Sequence, residues 1–407
     1  MATSLKAGPT ELGGRAKAVD PDVDFSLVDG DFACRVQRAI GLIPSRGLGV
    51  GRRALISVLL TWVPLVVAAA LAERLLHGLL DEPLAQHFGI HARFLVAVPL
   101  LILGEARLHS VVRESVAQFV RSGLVADKDH ARFVEIVRRA VAWRDGWQPW
   151  LVIAVLVISA VASNPFSLNA HELLWTTEAP QHQLAPGFGR AWFHFVARPI
   201  FTALLLAWIW RLALVTIIMV RISRLDLVLV ATHPDRAGGL GFLQTLPSAF
   251  APLSFALASV LASTWAHQAI YHHVPLASFQ VPLAAFAVTV AAALFVPLAM
   301  FAPRLLALRR RALLDYGALV TEHDQLVYRR WLLGEKVQDD ALLTAPELGP
   351  VADTVSLYDA VSRTRPVPAG KRTLILIAAP ILLPMLPLIA IEVPIKEALM
   401  KVLLTLL

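Results

Sequence analysis

The sequence predicts an all-α polytopic membrane bundle of about seven transmembrane helices, with a helical domain on the cytoplasmic side. Three observations carry that expectation. Of 407 residues, 57% are hydrophobic and only 16% charged, where a soluble domain carries about 25% charged residues. The mean hydropathy is +0.64. The charges gather in blocks, separated by apolar runs of roughly 17–25 residues, the length that crosses a bilayer.

At the N-terminus, residues 1–30 read as disordered, with an acidic run at Asp20, Asp22 and Asp24. Asp31 then caps a short helix. Phe32, Val36 and Ile40 fall on one face of it, with Arg35 and Arg38 beside them, as in a helix lying on the cytoplasmic leaflet or packing on a cytoplasmic domain. The expected spans are Ala54–Leu71, Phe94–Leu108, Trp147–Ser163, Pro199–Val220, Phe250–Ile270, Val281–Ala302 and Leu374–Ile391. Pro380, Pro384 and Pro387 break the last, which either crosses or re-enters. Ile395–Leu407 is too short to span.

Two cytoplasmic stretches read as helices, forming a hairpin over 105–145. One ends at Gly123; the other is capped by Asp127. The sixth span is expected to run on without a break to Trp331–Leu333, where Gly334 stops it. Such an extension of about 30 residues is about 45 Å long. Val351–Ser362 is a further helix. The domains are therefore an N-terminal arm (1–53), the spans with their hairpin (54–302), a cytoplasmic extension (303–372) and a last span with a tail (373–407).

The distribution of Lys and Arg orients the bundle. Residues 1–53 carry eight, 109–146 carry seven and 303–373 carry eleven. The intervening loops 72–93 and 164–198 carry two each, and 271–280 carries none. By the positive-inside rule the N-terminus is cytoplasmic. This bias also accounts for the net charge of +7. No recognition motif accompanies it, so nucleic acid is not an expected partner. Cys34 is the one cysteine, which excludes an intrachain disulfide and a cysteine-ligated zinc. The polar first 50 residues hold no cleavable signal peptide.

The most distinctive segment is Thr232–Leu243, THPDRAGGLGFL. Its His-Pro-Asp is similar to the tripeptide of J-domain co-chaperones, but here membrane spans flank it. Pro234 fixes φ, and Asp235 can cap the next turn. Gly238, Gly239 and Gly241 permit left-handed turns or close backbone approach. Exposed amides there, with His233 and Arg236, could hold a phosphate or lipid headgroup. The alternative is a tight turn whose glycines pack against neighbouring helices. The spacing is neither a P-loop nor a dinucleotide fingerprint.

Arg93–Glu105 (RFLVAVPLLILGE), Gln118–Val125 (QFVRSGLV) and above all Arg224–Leu243 (RLDLVLVATHPDRAGGLGFL) carry a resemblance over most of the membrane region. The chain resembles a family of uncharacterised bacterial multi-pass inner-membrane proteins. The resemblance implies topology and an inner-membrane location, and no activity.

Charges inside spans are expensive and usually functional. Glu105 lies 12 residues past Arg93 in the second span, and Arg211 lies 13 past Arg198 in the fourth. At 1.5 Å per residue both sit about 18–20 Å below the outer edge, so they are expected to pair, as structural glue or as a gate. His267, His272 and His273, at the outer end of the fifth span, have a poor ligand spacing. No metal, cofactor or catalytic residue is expected. No hydrolase triad or zinc motif appears in a span, which argues against an enzyme. The leading expectation is a channel or transporter with the bilayer as partner, alone or as a homo-oligomer. The alternatives are a sensor or scaffold acting through its cytoplasmic helices, and a lipid- or phosphate-handling enzyme using the His233-Pro234-Asp235-Arg236 turn.

Overall fold

The computed structural model describes residues 25–44, 47–76, 83–162, 188–335 and 351–388. It is all-helical, and seven of its helices are long and apolar enough to cross a membrane. The chain is a multi-pass membrane protein.

Helix α1 (Phe32–Ala39) precedes the spans. The first is α2 (Val50–Leu71) and the second α3 (Phe88–Arg121). A short link leads to α4 (His130–Asp145), and α5 (Gln148–Ala162) comes next. Then come α6 (Phe188–Ser223) and α7 (Ala251–Tyr271), the latter entered through a 3-10 segment, Gly241–Phe250. After α8 (Gln280–Ala299) come α9 (Ala302–Trp331), α10 (Val351–Ser362) and α11 (Lys371–Leu382). The last helical stretch continues to Leu388 and is long and apolar enough to cross a membrane. The final residues of the seventh expected span, 389–391, and the tail Ile395–Leu407 lie outside the described residues.

Proline shapes three of the spans. Pro64 has no N–H, so the Leu60 carbonyl one turn earlier loses its helical donor. The indole N–H of Trp192 donates to that carbonyl at 2.9 Å. Pro99 and Pro199 each come after a π-turn, at Ala92–Ala97 and Phe193–Ala197, a wider turn that relieves the clash a proline ring makes with the preceding turn.

The core lies where α3, α6 and α7 meet. Gly104 makes this closeness possible: a Cβ there would stand 2.5 Å from Pro252 of α7 and 3.2 Å from Trp208 of α6. By contrast α5 and α8 are peripheral, with only 6% and 17% of their apolar windows buried. Their apolar surface is what a bilayer covers.

Three expectations need correction. The first concerns residues 25–30, read as disordered. Phe25, Leu27 and Val28 are fully buried in the main core. The Ser26 hydroxyl lies 2.6 Å from His109 Nδ1, and its carbonyl accepts from Arg144 at 2.5 Å. Three apolar residues beside an acidic run are too few to show as a pattern. The second concerns the helix after α8, which is not continuous with it. Met300 and Phe301 form a turn, with Pro297 before and Pro303 after. The third is Asp127, which opens a 3-10 turn, while the N-cap position of α4 is held by Asp129. Asp129 also accepts the Asp226 N–H at 2.9 Å, joining the loops after α3 and α6.

We call the end of the bundle on which α1 packs the arm side. The stripe Phe32, Val36 and Ile40 is exposed there, with the Phe32 ring 6.4 Å from that of Trp150.

Candidate functional site

Four charged side chains meet inside the bundle. Glu105 of α3 accepts from Arg211 of α6 at 2.8 Å through Oε1 and from Arg53 of α2 at 2.5 Å through Oε2. The other arm of the Arg211 guanidinium donates to Asp31 Oδ2 at 3.0 Å. All four side chains are between 2% and 6% exposed. Two guanidiniums and two carboxylates make the set neutral. Isolated burial of any one would cost several kcal/mol, so the set holds together only as a whole.

Local structure places each member. One turn from the pair toward the far side, the Trp208 indole donates to the Leu101 carbonyl at 3.1 Å. That bond sets the register of α6 against α3, three residues before Arg211 and four before Glu105. Arg53 is the fourth residue of α2. Asp31 is held by its own helix: its Oδ1 accepts from the Cys34 N–H at 2.6 Å, an N-cap. One carboxylate therefore starts α1 and anchors it to Arg211.

The sequence brought Glu105 and Arg211 to one depth, and the structure puts them in contact. Arg53, which meets them, lies within one turn of the start of α2. Arg53 and Asp31 escaped notice as partners. Arg53 reads as a flanking charge of the positive-inside kind, and Asp31 as a cap alone. A charge count held the available signal. Glu105 has two oxygens, and a buried arginine fork needs two acceptors.

The 232–243 turn is built differently from an anion site. The amides of Ala237, Gly239 and Gly241 donate to the Asp235 carboxylate, at 2.8, 3.2 and 2.7 Å. His233 Nδ1 lies 2.8 Å from the same group. An internal carboxylate thus fills the nest that an external phosphate would need. The glycines serve close packing. Gly238 and Gly239 have φ of +66° and +97°. A Cβ on Gly238 would press on Leu308 and Leu229, and one on Gly239 on Leu124. Arg236 has φ +57°, and its carbonyl accepts the Arg365 N–H at 2.8 Å. Thr364 donates to the Ala231 carbonyl at 3.0 Å. The turn fastens the ends of α3, α9 and α10 together.

At the far end His267 stacks on His87 with centroids 5.3 Å apart and lies 2.9 Å from the Gln86 carbonyl. His272 meets it edge-on, and His273 sits in the next turn with φ +53°. Among the described residues no group of three His, Cys, Asp or Glu is gathered as metal ligands. Comparison with protein-family models, curated proteins and solved structures finds no match to this chain.

Proposed function

We propose that the protein is a conduit across the bilayer, a channel or transporter, closed at its arm side by the N-terminal segment. The observation that supports this is the origin of the fourth charge. Arg53, Glu105 and Arg211 come from three spans and sum to one positive charge; only Asp31, from outside the spans, neutralises them. A buried charge site completed by a segment from outside the spans is suited to act as a gate. With the arm withdrawn, two guanidiniums face one carboxylate, and the exposed site favours an anion. The arm side is taken as cytoplasmic on the strength of its Lys and Arg content.

The test is anion flux into proteoliposomes. Asp31→Asn, or removal of residues 1–40, should raise flux at least tenfold over the parent chain and favour anions over potassium. No increase in either variant would overturn the reading.

A second reading, a scaffold, is favoured by one feature. The tip of α9 exposes Tyr328, Trp331, Leu332 and Leu333 beside Arg329 and Arg330. A partner that docks there would leave flux unaffected. The enzyme reading at His233 loses its support, since Asp235 occupies the amides an oxyanion or phosphate would use.

A further inference from the structure

A cavity of about 410 Å³ opens on the arm side, between α3 and the 3-10 segment that leads into α7. It is within the size range of small-molecule sites. Ser110, Glu114 and Gln118 line one wall at i, i+4 and i+8 along α3, so they share a face. Phe242 and Thr245 line the other. Glu114 is nine residues past Glu105, about 14 Å along the helix, so the cavity is separate from the buried charges.

The lining is mostly hydrogen-bond accepting: Gln118 brings an amide that both donates and accepts, and the other polar groups accept. The Ser110 hydroxyl donates to the Arg107 carbonyl at 3.0 Å, Ser115 to the Val111 carbonyl at 2.7 Å, and Thr245 to the Phe242 carbonyl at 2.9 Å. Each hydroxyl has one proton. With it committed to the backbone, each oxygen offers the cavity only lone pairs. Glu114 adds a carboxylate, which only accepts. No basic residue lines the space. Phe242 supplies an aromatic wall, a surface that attracts cations.

We propose that this cavity binds a small organic cation, an alkylammonium whose N–H groups are received by the Ser, Thr and Glu oxygens. The volume is too large for a bare metal ion, which needs six or more oxygens in close array. Arg121 holds one oxygen of Glu114 at 2.8 Å, but both are exposed, and exposed pairs hold weakly. The second oxygen remains for the ligand. The inference is independent of the conduit reading, since binding at equilibrium needs no flux.

The experiment is calorimetric titration of the full chain in detergent with 1,4-diaminobutane at constant ionic strength. Butan-1-ol serves as the neutral control, and magnesium chloride as the inorganic one. One saturable site for the diamine is expected, with none for the alcohol. Glu114→Gln should weaken binding at least tenfold and Thr245→Val about threefold. Arg121→Gln, which releases the carboxylate, should tighten it. Absence of saturable heat with the diamine, equal affinity in Glu114→Gln, or tighter binding of magnesium than of the diamine would overturn the proposal. Glu114 and Thr245 are at the cavity wall and Arg121 is beside it, and unchanged melting temperatures separate lost binding from lost fold.

Discussion

Replacing Asp31 by Asn isolates the bond between the arm and the bundle. Asn still offers a side-chain oxygen to the Cys34 N–H, so α1 keeps its cap. What is lost is the charge that faces Arg211 at 3.0 Å. A hydrogen bond to a charged group contributes about 1.5–3 kcal/mol. A loss of about 2 kcal/mol raises the population of undocked arm about thirtyfold. Cys34 reports that population directly. It is the only cysteine, three residues beyond Asp31, and 3% exposed. Burial pushes its thiol above the ordinary range, so the docked arm holds little reactive thiolate. Maleimide labelling at about pH 8, near the ordinary thiol pKa, should therefore be slow in the parent chain and about thirtyfold faster in Asp31→Asn. Asp29→Asn is the control: Asp29 is exposed and pairs with Arg38 at the surface. A rate for Asp31→Asn within twofold of the parent, with the melting temperature unchanged, would show that Arg211 does not hold the arm.

The same geometry sets other outcomes. Glu105→Gln leaves two buried guanidiniums short of a carboxylate and should cost about 3–5 kcal/mol, read as a lower melting temperature in detergent. Exchanging the charges, Glu105→Arg with Arg211→Glu, should not restore stability. The new arginine would face Arg53 and the new glutamate Asp31, so recovery to the parent value would contradict the four-membered arrangement. Asp235→Ala strips the acceptor from three amides and should cost about 3 kcal/mol, while inorganic phosphate should bring no thermal stabilisation to the parent chain. A stabilising shift by phosphate that depends on Arg236 would revive the anion site. Gly104→Ala puts a methyl group against Pro252 and Trp208 and should cost about 1–3 kcal/mol by overpacking; a neutral effect would mean that α3 and α7 have room to part.

Much of the architecture was legible because a bilayer imposes a simple code. Length, apolarity and the punctuation of charge located seven spans, and helical periodicity located α4, α10 and the long α9. Val351–Ser362 came out residue for residue. Boundaries shifted where helices run past the apolar run. Thus α3 extends from Phe88 to Arg121 although only its middle is apolar. The break at Met300 was not legible, since Pro303 at the start of a helix is as compatible with continuity as with a new beginning.

By itself the sequence determined the class of the protein, the helices long and apolar enough to cross a membrane, and the equal depth of Glu105 and Arg211. These depend on local composition and on rise per residue, which are properties of one helix at a time. Only the tertiary structure decided who completes the charge pair. Arg53 lies 52 residues from Glu105, and Asp31 lies 180 from Arg211. Neither distance leaves a mark on local pattern, and each residue already had a sufficient local explanation. The structure also decided that the 232–243 turn is filled from within. Whether a row of amides greets a ligand or its own aspartate depends on which way a single side chain folds back.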